Sequence, residues 1–568
     1  MTTRSRAIVR RAWVFAGVCS TGLLAVAPTA VAQNHPAPPG VPEPLSTDPD
    51  GAHYAAWRDN NDRAADPEPS EFDFISYYLA RGSVTNQLAD PAGLRGVSLG
   101  PIAVGENLGS GTRVGEASTN YYIEQRWIPV LQYKPHFVDG LAAVRAQFEI
   151  DFTWGLAANA IQNNQGGGFN ADQVNIQTKN VNVALYPTKD PKQMSILVGT
   201  QPVFDTIYDP TITSLFEIVQ TGYKLSFLGT DATGLSLFFN DDVYGIGKFS
   251  FIPIGAAQPD KALTGDARFE QIYMLTADYA YPIRPGTVLG LSYWHLRDDT
   301  KGAAFAFEGL LRSGPSSGGL SSFTGTQPFQ IESPNGHVHY VGANFHHNIS
   351  FKNGPFAASG FTMANVGAFT TQEEEETQLN ERVDILGVAA NAEVQYNYGR
   401  TIDDRITLEG MFTSGDSDPT DDQFSSAFTT NYYGLPGAVW FNHKTLLLFP
   451  FTTTVSNYTG AVTDISNQGF GLISGIAKGS YDIIPSKLNV RGGVAYGQSV
   501  GRPPERNGLR PGRILGAEVN AEVLYHFKYL MTLGLHGGYM FRGDFYDGNA
   551  QITENPWAAF LSYTWYAF

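Results

Sequence analysis

Ionisable and amide side chains stand at every second position in several otherwise apolar stretches of this 568-residue chain. In GAEVNAEVLYHFK (516–528), Glu518, Asn520, Glu522, His526 and Lys528 are separated by Val519, Ala521, Val523, Tyr525 and Phe527. Arg145, Gln147, Glu149 and Asp151 alternate in the same way with Val144, Ala146, Phe148 and Ile150. Glu393 lies between Ala392 and Val394, Arg405 and Glu409 flank Ile406 and Leu408, Arg491 follows Val490, and Arg542 follows Phe541. The same parity places Lys179 and Lys224 with these charges. Groups of this kind could act as acids, bases or nucleophiles, could ligate a metal, or could line a water-filled passage.

Little in the spacing supports the first two. No G-x-S-x-G, Walker or Rossmann pattern stands in a strand–turn–helix context. The eleven histidines and many serines single out no Ser/His/Asp set. The chain is therefore expected not to be an enzyme and to carry no cofactor. His337, His339, His346 and His347 cluster in and beside one strand, but His346 takes the opposite face from His337 and His339. No cysteine or carboxylate completes a ligand set, so the rings read as interface-facing side chains and no metal site is expected.

The third use depends on the elements that carry the charges. Period-2 alternation means strands with one polar and one apolar face. A soluble sandwich would turn the apolar face inward; a membrane barrel turns it out to lipid and leaves the charges lining water. Aromatic residues make up 13% of the chain and glycines number 61. No stretch after the first 32 residues has the continuous apolar length of a transmembrane helix. Residues 1–32 read as an export signal: Arg4, Arg6, Arg10 and Arg11, an apolar run to Leu24, and a small-x-small AVA at 30–32. The sole cysteine, Cys19, falls inside that signal. The formal charge is −17, or −21 without the four signal arginines, which disfavours nucleic acid as a partner. Residues 33–70, rich in proline and aspartate, read as an extended periplasmic tail.

Connection lengths give a separate test. Alternating segments number eighteen, at 72–79, 118–134, 139–154, 174–186, 194–200, 222–229, 234–241, 268–281, 287–297, 337–350, 356–370, 384–398, 405–413, 466–481, 488–498, 513–528, 530–542 and 556–568. Short connections such as PHFV, PTKDPKQ, TDATG, PIRPG, FKNGP and GRTIDD alternate with long ones. Short periplasmic turns, long external loops and an even strand count describe an all-β, up-and-down antiparallel transmembrane barrel over 71–568. GKFSFIPI (247–254) reads as an extra strand or as part of an external loop. A phase slip between Asn180 and Val181 implies a bulge. The closing aromatic of FLSYTWYAF, Phe568, resembles the C-terminal signature of bacterial outer-membrane barrels.

Three stretches resemble the alginate-export family of outer-membrane barrels: LVGTQPVFDTIYDP (197–210), FTSGDSDPTDDQFSSAFTTNYYG (412–434) and GAEVNAEVLYHFKYLMTLGLHGGYMFRGDF (516–545). The resemblance implies an 18-stranded monomeric barrel that carries polysaccharide or other polar solutes. A conduit for a polyanion should have a clearly basic lumen. Here the pore-lining set expected from parity is Arg145, Lys179, Lys224, Arg405, Arg491, Lys528 and Arg542 against Glu149, Asp151, Glu393, Glu409, Glu518 and Glu522, close to balance.

The reading is a Gram-negative outer-membrane porin for passive diffusion of small polar solutes or oligosaccharides. Alginate-like export, or a non-conducting structural or adhesive barrel, are the alternatives. A monomer is favoured over a trimer, and the partners expected are outer-membrane lipid, lipopolysaccharide and the solute. The acidic loops 371–383 and 414–422 read as solvated, although their carboxylates could bridge divalent ions to lipopolysaccharide phosphates. Of the long loops, 298–336 and 414–464 are the candidates to fold inward.

Overall fold

A computed structural model of the chain describes residues 71–89, 120–154, 175–189, 193–204, 228–241, 244–253, 272–299, 335–349, 351–371, 380–418, 421–428, 445–449, 459–462, 465–467, 469–503, 508–528, 530–549 and 552–567, with a few shorter pieces between them. The expected signal peptide and tail, residues 1–70, lie outside the described residues.

Eighteen long strands form the wall. The first nine are β1 (Phe72–Thr85), β2 (Asn120–Tyr133), β3 (Ala142–Trp154), β4 (Asn175–Leu185), β5 (Met194–Phe204), β6 (Leu228–Asp241), β7 (Gly245–Pro253), β8 (Ile272–Arg284) and β9 (Thr287–Asp298). The others are β10 (Asn335–His347), β11 (Phe356–Thr370), β12 (Arg382–Asn397), β13 (Arg405–Thr413), β14 (Leu472–Ile484), β15 (Leu488–Gln498), β16 (Ile514–Lys528), β17 (Met531–Arg542) and β18 (Trp557–Ala567). Each pairs antiparallel with its neighbours in chain order, and β1 pairs with both β2 and β18, so the sheet closes with no free edge. Closure satisfies the backbone amides internally, as a hydrocarbon surrounding demands.

The wall is inside-out relative to a soluble protein. On β16, Val519 and Val523 point outward and are exposed, while Glu518, Asn520 and Glu522, on the alternate positions, are buried. On β9, Leu289, Leu291 and Tyr293 are exposed, while Ser292, Trp294 and Leu296 are buried. Exposed apolar side chains recur all round: Phe74 on β1, Val144 on β3, Leu235 on β6, Val341 on β10, Val394 on β12 and Leu535 on β17. This is the alternation of a lipid-facing exterior and a polar interior.

One end of the barrel carries the short turns. Pro285–Gly286 joins β8 to β9, with Gly286 in the left-handed region at φ 73°. At the 398–404 turn, Asp404 accepts hydrogen bonds from the Arg400 amide at 2.7 Å and the Thr401 amide at 3.3 Å. Its other oxygen accepts from the Asp482 amide on β14 at 2.7 Å, which ties this turn to the next hairpin. The long connections lie at the opposite end.

Two expectations differ from the structure. The segments 222–229 and 234–241 are not two strands joined by a TDATG turn: β6 runs unbroken through residues 230–234 and pairs with β5 along its length. Turn-forming residue types yield here to the ladder with β5, with Gly234 fitting against the Phe251 carbonyl of β7 where a Cβ would come within 2.6 Å. GKFSFIPI falls instead in a wall strand, β7, so the count of eighteen is retained. The expected slip in β4 is a bulge at Lys179, which lies between Thr178, paired with Phe148, and Asn180, paired with Gln147.

Candidate functional site: the lumen wall and its inward loop

The inner face brings charges together across strands. Arg145 is buried and donates to Gln132 Oε1 on β2. Glu393 and Glu409 stand directly opposite each other on β12 and β13, both buried. Gln395 donates to Glu393, and Asn391 Nδ2 donates to Glu409 at 2.5 Å. Arg405 is half-buried and reaches Gln395 Oε1 at 3.4 Å. Arg491 Nε donates to Asn489 Oδ1 at 3.0 Å. Glu522 is held by Lys478 Nζ at 3.1 Å and by His536 Nδ1 at 2.8 Å.

Other expected positions sit elsewhere. Glu149 and Asp151 share the register phase of Arg145, but their side chains, like that of Lys179, lie outside the described residues. Lys224 is not on the wall: Tyr223–Lys224 pairs in parallel with Val439–Trp440 in a separate two-stranded sheet. Lys528 does not face the lumen. A bulge after His526 sets it opposite Met531, which in turn pairs with the outward Trp565, so the slip moves Lys528 to the outer face. Arg542 is at the external rim, where its guanidinium lies 3.7 Å from Asp547. Parity from the strand centre cannot see either the bulge or the rim.

The sequence reading missed several inner-face ions. Arg81 and Arg126 are buried on β1 and β2, Lys248 on β7, and Lys478 lines β14. Lys248 stands opposite Asp278, whose carboxylate accepts from Ser292 Oγ at 2.6 Å and Trp294 Nε1 at 2.9 Å. Their strands alternate less cleanly, with aromatic or small residues on both faces, so period alone gave no signal.

Towards the loop end the lumen turns apolar. Trp294, Tyr340, Met363, Phe369, Met411, Leu472 and Met540 from the wall pack in one buried cluster with Phe424, Phe428, Leu446–Phe449, Val462 and Phe470 from the connection between β13 and β14. The described parts of that connection, within 421–428, 445–449, 459–462 and 465–471, therefore pack inward, on the expected inward loop 414–464. For 298–336 the described residues do not decide the path.

Glu518 anchors the inward segment. Its Oε1 accepts the Leu446 amide at 2.7 Å, and its Oε2 accepts the Leu447 and Leu448 amides at 2.9 and 2.5 Å. Asn520 Nδ2 steadies the same carboxylate at 2.9 Å. A carboxylate cradled by successive backbone amides is a charge-assisted latch in a dry setting. The wall makes room with glycine: a Cβ on Gly538 would meet Leu446 at 3.2 Å, and one on Gly497 would meet Phe449 at 3.2 Å. Glu518 is thus a lumen-side residue whose charge is committed to holding a loop.

Further along the connection, Asn365 Oδ1 on β11 accepts the Phe428 amide at 3.2 Å. Gln423–Phe424 runs parallel to Asp384–Ile385 of β12, and Thr430–Asn431 runs parallel to Leu228–Gly229 of β6. At its start, Asp416 accepts the amides of Asp418 at 2.9 Å and Ser425 at 3.3 Å. Burial pushes the Asp416 carboxyl up to about 6, with the neighbouring carboxylates of Asp421 and Asp418 adding to the rise. Among the described residues, no group of His, Cys, Asp or Glu converges to hold a metal ion.

Three histidines form an outer-face group. His295, His337 and His339 pack together, the His295 and His339 rings stacked at 4.7 Å, and Tyr293 Oη lies 2.9 Å from His339 Nδ1.

No family model and no curated protein matches the chain. Solved structures share a likeness at low identity. Acinetobacter baumannii OccAB1 is 12% identical with a TM-score of 0.44, covering 87% of this chain and 97% of its own. The Acinetobacter baumannii outer membrane channel DcaP is 11% identical with a TM-score of 0.37, covering 88% of this chain and 99% of its own. Pseudomonas aeruginosa OccK2 (OpdF), solved with glucuronate, is 10% identical with a TM-score of 0.41, covering 87% and 97%.

Proposed function

We propose that the protein is a channel of the bacterial outer membrane through which small polar solutes diffuse, with the 414–471 connection narrowing its external half. The observation that carries this reading is the inside-out wall: a closed sheet with an apolar exterior and an interior lined by hydrogen-bonded ions. Such an interior is stable only in contact with water, and a water-filled closed barrel is a passage. Apolar outward residues on strands all round the wall suit a single barrel surrounded by lipid. The outward Tyr293, His295 and His339 rings, close to the loop end of β9 and β10, suit the headgroup region of the lipopolysaccharide leaflet.

Polysaccharide export, which the alginate-export resemblance implies, is the second reading. What favours it is a basic strip, Arg81, Arg126 and Arg145, on the adjacent strands β1, β2 and β3. Against it stand the opposed Glu393 and Glu409 and the apolar packing of the inward loop, which leave a flexible polyanion no uniformly basic path.

The test is single-channel current in a planar bilayer, with the reversal potential read under a salt gradient. Steady conductance with weak selectivity is expected. Strong anion selectivity would favour the export reading, and a folded barrel that stays silent would refute a channel of either kind.

A further inference from the structure

We propose that Glu522, His536 and Ser562 form a nucleophilic triad on the lumen wall, and that Ser562 can be acylated by acyl esters of polar solutes that enter the barrel. This goes beyond the channel reading and does not depend on it.

The three residues lie on the adjacent strands β16, β17 and β18. Register sets Glu522 directly opposite His536, and Ser562 directly opposite Gly534, two residues from His536 on the same face. His536 Nδ1 is 2.8 Å from Glu522 Oε2, and His536 Nε2 is 3.0 Å from Ser562 Oγ. An ionised carboxylate only accepts, so Nδ1 carries the proton and Nε2 offers its lone pair to the serine hydroxyl. This is the order nucleophile–base–orienter, each step within hydrogen-bond reach.

The surroundings fix the geometry. Phe560 stacks on the His536 ring at 4.5 Å and 16°, and Lys478 holds the carboxylate at 3.1 Å. Gly534, with no Cβ, lets the imidazole and the hydroxyl pack down against the wall and meet. A Cβ there would come within 2.3 Å of His536 Nε2 and 2.6 Å of Ser562 Oγ. Arg81, opposite Ser562 across the β1–β18 pair, lays its guanidinium over the Phe560 ring, 4.7 Å from the centroid, and so helps hold that ring against the imidazole.

In the reaction, Ser562 Oγ bonds to the ester carbonyl carbon while its proton passes to His536 Nε2. Collapse breaks the carbon–oxygen bond of the ester, and that proton leaves with the alcohol. Water, deprotonated by His536, then attacks the acyl-serine, releasing the acid and restoring the hydroxyl. Glu522 positions the imidazole and touches no reacting atom.

The test uses the full-length folded barrel and a fluorophosphonate probe, which bonds to an activated serine through phosphorus with loss of fluoride. A single adduct on the peptide containing Ser562 is expected by mass spectrometry. Labelling should fall at least tenfold in Ser562→Ala, His536→Gln and Gly534→Ala, with strand content by circular dichroism unchanged. Glu522→Gln should lower the labelling rate and Glu522→Asp should recover part of it, which a purely structural role would not produce. Hydrolysis of p-nitrophenyl acetate should follow the same order. A folded wild-type barrel that takes no label, or one labelled only at another residue, overturns the proposal without recourse to any variant.

Discussion

Removing the Glu518 carboxylate should release the inward loop. Glu518 is 1% exposed and accepts three backbone amides, at 2.7, 2.9 and 2.5 Å. A hydrogen bond to a charged group contributes about 1.5–3 kcal/mol, and bonds sharing one carboxylate are not additive. A net loss of about 4 kcal/mol for Glu518→Ala corresponds to a factor of about 10³ in the equilibrium between docked and released loop. Glu518→Gln keeps one acceptor oxygen and should lose about half as much, on the order of a 30-fold shift. Single-channel recording should show higher conductance and frequent open substates in the alanine variant, with the glutamine variant between it and wild type. Liposome swelling should show faster entry of disaccharides in the same order. A folded Glu518→Ala barrel with wild-type conductance and wild-type size cut-off would refute the latch. It would mean that the apolar packing of Leu446–Phe449 alone holds the loop.

Three further outcomes follow from the wall and its ends. Leu291→Arg places a cation on an outward position 64% exposed in the middle of β9, and should destabilise the barrel in lipid by about 2–4 kcal/mol. Leu291→Phe should be neutral, both read from urea unfolding in vesicles. Asp404→Ala strips an acceptor from three amides in two successive hairpins and should cost about 3 kcal/mol in the same assay, an unchanged midpoint counting against the turn network. The raised Asp416 carboxyl makes docking of the 414–425 segment depend on pH. Between its free value of 3.8 and about 6 the docked form binds more protons, so docking is strongest below that window and weakens as pH rises through it. Amide protection factors in the 414–418 and 421–425 segments, corrected for the intrinsic pH dependence of exchange, should therefore be lower at pH 7.5 than at pH 4.5, a difference that Asp416→Asn abolishes.

Much of the barrel is legible in the sequence because its physical cause is local. Alternation in GAEVNAEVLYHFK assigns Val519 and Val523 to one face and Glu518 and Glu522 to the other wherever the strand ends up, and a chain that repeats this pattern between short and long connections has few ways to satisfy its backbone except by closing. Misassignments arise where neighbours overrule local signals. TDATG has turn chemistry but is zipped into β6 by its ladder with β5. Lys528 has the parity of the lumen but follows a bulge.

What the sequence by itself determined, then, is which side chains share a face and where the chain reverses, since both depend on residues a few positions apart. Only the tertiary structure decided what those faces meet. Leu446 and Glu518 are 72 residues apart, and no spacing rule links a loop amide to a strand carboxylate across a lumen. Glu522, His536 and Ser562 are set 14 and 26 residues apart by the register of three strands, which depends on every turn and bulge between them. Periodicity assigns a residue its side of the wall. Its partner across the strands comes from the closure of the whole sheet, a non-local property of the chain.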